Sequence, residues 1–162
     1  MNAPPIIVIG NGIAGITTAR HIRKKSTKPI LIISKESRFF FSRTALMYVY
    51  MGHLKWEHTQ PYENHFWKKN KLDLLEETVT QIDPEKKTIR LSNESILSYD
   101  SLVLATGSIP NKFGWPGENL KGVQGLYTKQ DLENLEALTT SIQETVIVGG
   151  GLIGIELAEM LH

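Results

Sequence analysis

The residues best suited to chemistry are six glycines in two identical spacings, Gly10-x-Gly12-x-x-Gly15 and Gly149-x-Gly151-x-x-Gly154. Such a turn permits a tight reversal at its first glycine, close approach of backbone to a pyrophosphate at its second, and helix-on-strand packing at its third. The helix that follows offers unpaired N–H groups and a positive dipole end to the anion. Candidate contacts are therefore Gly10, Gly12, Ile13, Ala14 and Gly15 in the first copy, and Gly149, Gly151, Leu152, Ile153 and Gly154 in the second. A dinucleotide site adds a carboxylate about 20 positions on, at the end of the next strand, for the ribose hydroxyls. The sequence there reads Ile33-Ser34-Lys35-Glu36, so the first carboxylate available is Glu36, which reads equally well as a solvated loop charge.

The motif has this meaning only where a buried strand leads in and a helix leads out. Pro5-Ile6-Ile7-Val8-Ile9 is a short, continuous, β-branched run, as in a strand covered on both faces of a parallel sheet. Ile16, Ala19 and Ile22 then mark a helix ending near Lys24-Lys25, and Ile30–Ile33 a second buried strand, which completes a βαβ unit. A helix is expected around Thr44–Tyr50 and another over Glu63–Asn70. Leu72–Leu75, Thr78–Ile82, Thr88–Leu91 and Ile96-Leu97, set among polar turns, suggest a small antiparallel excursion. Ser101–Leu104 returns as a buried strand ending in the glycine turn Ala105-Thr106-Gly107, and Ser108–Gly125 is a Pro- and Gly-rich connector. Thr128–Thr139 reads as a helix with a Thr cap and early acidic residues. Thr145–Ile155 repeats Ile6–Ile16 at a constant offset of 139 and starts a second βα unit.

Composition narrows the chemistry. The 162 residues include no cysteine, which excludes disulfides, Cys-ligated metals and thiol redox steps within the chain. A formal charge of +1 is too small for a duplex nucleic acid footprint, so partners are expected in pockets. His53, His58 and His65 are spaced by five and seven, which matches no helical zinc pair. Aromatics such as Phe39, Phe40, Tyr48, Trp56 and Trp67 could line a flat ring system, although aromatic residues more often fill a core. The stretch Met1–Pro5 has no basic n-region, and no run approaches the roughly 18 apolar residues that span a bilayer, so a cytoplasmic chain is expected.

In order and spacing, Gly10-x-Gly12-x-x-Gly15, Ala105-Thr106-Gly107-Ser108 and Gly149-Gly150-Gly151-Leu152-Ile153-Gly154-Ile155-Glu156 resemble the FAD-dependent pyridine nucleotide-disulfide oxidoreductase superfamily. The resemblance implies an α/β fold: a Rossmann-like FAD-binding domain with a parallel sheet and a small antiparallel excursion, plus the first βα of a second nucleotide-binding domain. The implied division is 1–108 for the FAD-binding domain, 109–142 for a connector with a helix, and 143–162 for the start of an NAD(P)-binding domain. It also implies cofactor contacts at Lys35, Glu36, Arg43, Val79, Ala105, Thr106, Gly107 and Glu156.

The implied activity passes hydride from NAD(P)H to FAD and electrons onward to a protein, nitrite or quinone acceptor, with NAD and NADP both open. The alternative is a nucleotide- or flavin-binding module without redox turnover. Disulfide reductases carry their redox cysteines where this chain has Phe39–Ala45, so that branch is set aside. Ser34–Arg43 is instead similar to ferredoxin-, rubredoxin- and nitrite-reductase-type flavoproteins, and Ala105–Gly117 resembles type II NADH dehydrogenases. The chain departs from these relatives in three places. The carboxylate usual at Lys35 is absent, the lysine near the flavin aligns with Tyr48, and an arginine before the connector helix aligns with Tyr127. The ion pair that the lysine makes with the glutamate matching Glu156 cannot form. The chain is thus expected to be the N-terminal part of such an enzyme, inactive alone. Thr145–His162 is expected to pack against the FAD-type sheet or to pair between protomers.

Overall fold

The computed structural model describes residues 3–162; Met1 and Asn2, part of the stretch read above for a signal sequence, lie outside the described residues. The chain forms two compact units, one of residues up to 41 with 60–108, the other of 42–59 with 109–162. Residues 42–59 thus group with the C-terminal part of the chain.

In the first unit β1 (Ile6–Ile9) pairs in parallel with β2 (Ile30–Ser34) and β7 (Ser101–Leu104), and β2 pairs in parallel with β3 (Leu72–Glu76). The order is β3-β2-β1-β7. Leu72–Glu76 therefore belongs to the parallel sheet, which corrects its assignment to the antiparallel excursion. Only β4 (Val79–Asp83), β5 (Thr88–Leu91) and β6 (Ile96–Ser98) make up the antiparallel sheet.

Alternation along β1 explains why both faces are covered. Ile6 and Val8 pack with Ile16 and Ala19 of α1 (Ile13–Lys25), with Phe40, and with Trp67 of α3 (Asn64–Lys69). Ile7 points the other way and packs with Ile33, Ile89, Leu91 and Tyr99, on the side of the antiparallel sheet. The aromatics of this unit fill the core: Tyr62 stacks on Phe66 at 4.4 Å, and Arg20 donates to the Tyr62 hydroxyl at 2.9 Å while lying over its ring. β7 pairs with β1 alone and is an edge, so its Leu104 is 62% exposed, where burial was expected.

In the second unit Arg43–Ala45 forms a single 3-10 turn leading into α2 (Leu46–Tyr50), and a second such turn covers Trp56–Thr59. Thr128 caps α4 (Lys129–Thr139) through a reciprocal capping box with Asp131, as the Thr and the early acid foretold. The helix α5 (Leu152–Leu161) forms and packs on α2. Residues 145–148, whose pattern is that of a strand that parallel neighbours would have to cover, are not a strand, and Val146 and Val148 are 87% and 69% exposed. A parallel strand draws its hydrogen bonds from neighbours, and no described strand pairs with this one. The segment therefore contributes no strand to either described sheet.

Two outcomes check this architecture. Ile16 is fully buried and Ile13, one turn earlier on α1, is 66% exposed. In urea unfolding, Ile16→Ala should cost about 2–5 kcal/mol and Ile13→Ala under about 0.5 kcal/mol; equal costs would contradict the packing of α1. The Lys28 ammonium donates to Asp100 Oδ2 at 2.8 Å, and with the Ser101 hydroxyl it holds that carboxyl below the ordinary carboxylate range. A depressed folded pKa adds stability above the unfolded value of about 3.9 and loses it as pH falls through the folded value. The stability gap between wild type and Asp100→Asn should thus be widest near neutral pH and close in acid.

Candidate functional site

β1 lies between β2 and β7, so the sheet order turns at its carboxyl end, the crevice where open α/β sheets bind ligands. The first glycine turn leaves from there. Its Gly10 has φ +107°, and a methyl group at this position would collide with the backbone oxygen of Ala105. A methyl group at Gly15 would collide with the backbone oxygen of Gly10. The Gly10 N–H donates to Ile33 O at 2.8 Å, and the Ala105 N–H donates to Ile9 O at 2.8 Å. Gly10, Gly15 and Ala105 are thus brought into backbone contact, and Thr106 and Gly107, the latter at φ +72°, follow on the exposed rim.

Gly12 is different. Its φ of −66° is open to any residue, and a methyl group there would meet no atom of the chain within 4 Å. It is the N-cap of α1, no side chain caps that helix, and Gly12, Ile13 and Ala14 are all exposed. Two of the three glycines are required by the chain's own packing, and the middle one faces open space before an uncapped helix start. An anionic group that needs close backbone approach and N–H donors fits this arrangement.

The second motif repeats the geometry. Gly149 has φ +113°, and a methyl group at Gly154 would collide with the oxygen of Gly149. Gly151 caps α5 at φ −76° where Gly12 caps α1 at φ −66°. The Ile155 N–H reaches Gly151 O at 3.1 Å, as the Ile16 N–H reaches Gly12 O at 3.0 Å. Leu152 and Ile153 are exposed and Glu156 is half-buried. The copies differ at the first glycine: Gly10 abuts Ala105, whereas a methyl group at Gly149 would meet nothing within 4 Å.

The remaining candidates are dispersed. Past β2, Lys35 is exposed and Glu36 half-buried, with its N–H 3.4 Å from Ser34 Oγ. Val79 opens β4 and packs beside the Ile7 and Ile33 cluster. In the second unit the Arg43 guanidinium donates to the backbone oxygen of Tyr127 and lies 4.4 Å from the centre of its ring. Lys129 makes a similar contact with Trp56 at 5.3 Å, and the two together tie 42–59 to the start of α4. Tyr48 is half exposed, its ring 6.5 Å from that of His53. A cleft of about 340 Å³ lined by Tyr50, Thr139, Ile142, Ile147 and Leu161, among others, contains none of the candidate residues. Sequence reasoning passed over Asn11, which is 7% exposed and hydrogen-bonded, because it stands at a position the motif leaves unspecified.

An open parallel sheet with a glycine turn at its switch point is the arrangement found in dinucleotide-binding folds. A family model described as pyridine nucleotide-disulphide oxidoreductase matches residues 4–162, and the chain belongs to that family. It is 33% identical over 156 residues to a probable ferredoxin reductase, CtmF, of Castellaniella defragrans, covering 94% of this chain and 38% of that protein. It is 30% identical over 164 residues to a nitrite reductase, NAD(P)H-dependent by name, of Bacillus subtilis, covering 99% of this chain and 20% of that one. Among solved structures, an NAD-dependent persulfide reductase from A. fulgidus superposes with a TM-score of 0.86 at 30% identity, covering 99% of this chain and 32% of the other. The chain thus spans well under half the length of these relatives. Among the described residues no helix is long and apolar enough to cross a membrane.

The unequal roles of the glycines give a direct test. Gly15→Ala should lower the melting temperature sharply, because backbone must move. Gly12→Val should stay within about 1 kcal/mol of wild type, a helix-cap effect, yet lose flavin when made in the longer protein that carries this chain. Stoichiometric flavin in that protein, folded and carrying Gly12→Val, would remove the phosphate-binding role from this turn.

Proposed function

We propose that the chain is the FAD-binding part, and the beginning of the NAD(P)-binding part, of an NAD(P)H-dependent flavin oxidoreductase. The observation that carries this reading is Gly12, the one glycine of its turn that no neighbour in the chain requires. On this reading 1–108 holds FAD, 109–142 connects, and 143–162 opens the NAD(P) domain. FAD, when bound, supplies the chemistry, accepting hydride from NAD(P)H and releasing electrons to an acceptor.

The chain's own residues bind and orient. The N–H groups of Gly12, Ile13 and Ala14 face the pyrophosphate, and Glu36 takes the ribose hydroxyls. Ala105, Thr106 and Gly107 border the flavin from the adjacent strand, with Val79 and Lys35 at its margins. Arg43, held by Tyr127, meets an anionic part of the cofactor with charge-assisted hydrogen bonds. Gly149, Gly151, Leu152, Ile153, Gly154 and Glu156 receive NAD or NADP. Relatives named as ferredoxin and nitrite reductases support a protein or nitrite acceptor, with a quinone as the third. The cytoplasm, where NAD(P)H is regenerated, is the setting this activity implies.

A second reading, a flavin-binding module without turnover, draws on Tyr48 standing where the family resemblance implies a lysine. Purified protein carrying this chain should be yellow with noncovalent FAD and should reduce a dye with NADH or NADPH. Bound FAD with no dye reduction by either nucleotide would select the module, and absence of FAD would reject both. Arg43→Ala should weaken FAD about ten-fold or more, the usual loss for a charged hydrogen bond. Unchanged affinity would place Arg43 outside the site.

A further inference from the structure

Asn11 stands between the first two glycines, and its carboxamide is built into the protein. Its Nδ2 donates to the backbone oxygen of Ser37 at 2.7 Å and to that of Arg38 at 3.4 Å. The receiving segment is itself turned, since the Ser37 hydroxyl donates to Phe39 O at 2.9 Å. A carboxamide nitrogen carries two N–H donors, and here each has a carbonyl to meet. These contacts join two loops that leave neighbouring parallel strands: the glycine turn after β1, and the segment after β2 that carries Glu36. Parallel pairing sets the heights of the strand ends, but it leaves the loops beyond them free to splay. One buried amide closes that gap.

We propose that Asn11 is a positioning residue for ribose recognition: it touches no ligand, and it fixes the spacing between the phosphate-facing turn and Glu36 so that one adenosine diphosphate moiety meets both. The inference rests on the reading that Gly12 faces the pyrophosphate and Glu36 the ribose hydroxyls. A purely supporting role for Asn11 would weaken every adenine nucleotide alike. The positioning role instead weakens the contribution of the hydroxyls, because Glu36 swings away while the turn keeps its diphosphate.

The test is calorimetric titration of the full chain with ADP and with 2′,3′-dideoxy-ADP, which carry the same diphosphate and differ only at the ribose. Wild type should bind ADP about ten-fold tighter than the dideoxy compound, as a charged hydrogen bond gives. Glu36→Gln should shrink that ratio, and so should Asn11→Ala, each to within about two-fold of unity, with dideoxy-ADP affinity little changed. Asn11→Asp keeps the side chain's size while losing both donors, and should shrink the ratio as Asn11→Ala does. Its added charge acts on both ligands and cancels in the ratio. A ten-fold preference that survives in both Asn11 variants and disappears in Glu36→Gln overturns the positioning role and leaves the ribose reading intact. No preference in wild type, or one that Glu36→Gln leaves untouched, overturns the ribose reading and the role of Asn11 with it.

Discussion

The site depends on one close approach, that of the Gly10 backbone to Ala105 on one side and to Gly15 on the other. No side chain fits into either contact, so the two glycines bring β1, α1 and β7 together at the point where the sheet order turns. The tightness of this packing is what leaves α1 starting at the rim, with Gly12 in the open and Ile13 and Ala14 exposed after it. Local strain at Gly10, with φ +107°, is accepted by the one residue type that tolerates it, and the outcome is a cradle for an anion.

The second copy separates what is local in this device from what is not. Gly149, Gly151 and Gly154 adopt the same turn and start the same kind of helix although residues 145–148 form no strand. The turn and the helix start therefore come from the glycine spacing itself. The strand requires partners. The contact of Gly10 with Ala105 depends on β7 lying beside β1 and has no counterpart at Gly149.

The same distinction explains how much was legible in the sequence. The β-branched runs of β1 and β2, the glycine turns and the Thr128 cap are contiguous signals, and the structure has each of them where expected. Leu72–Leu75 is misplaced by its sequence because a short apolar run broken by a charge, here Asp73, is shared by parallel and antiparallel edges. Leu104 is more exposed than its run suggests because an apolar run shows what a strand can bury and not whether a neighbour is there to cover it, and Val146–Val148, with the same pattern, form no strand for want of that neighbour. Asn11 and Tyr127 were illegible for another reason: their partners lie 26 and 27 positions away in one case and 84 in the other. No periodicity spans such a distance.

The central claim is that the open turn around Gly12 is where a nucleotide diphosphate sits. The most direct measurement is a titration of the 15N-labelled chain with ADP, followed through the backbone amide resonances. The account predicts that the largest shifts fall on Gly12, Ile13 and Ala14, with the segment around Glu36 moving in the same titration. Shifts confined to other residues, such as those lining the cleft around Thr139 and Ile142, with the Gly12 turn unmoved at saturation, would contradict it.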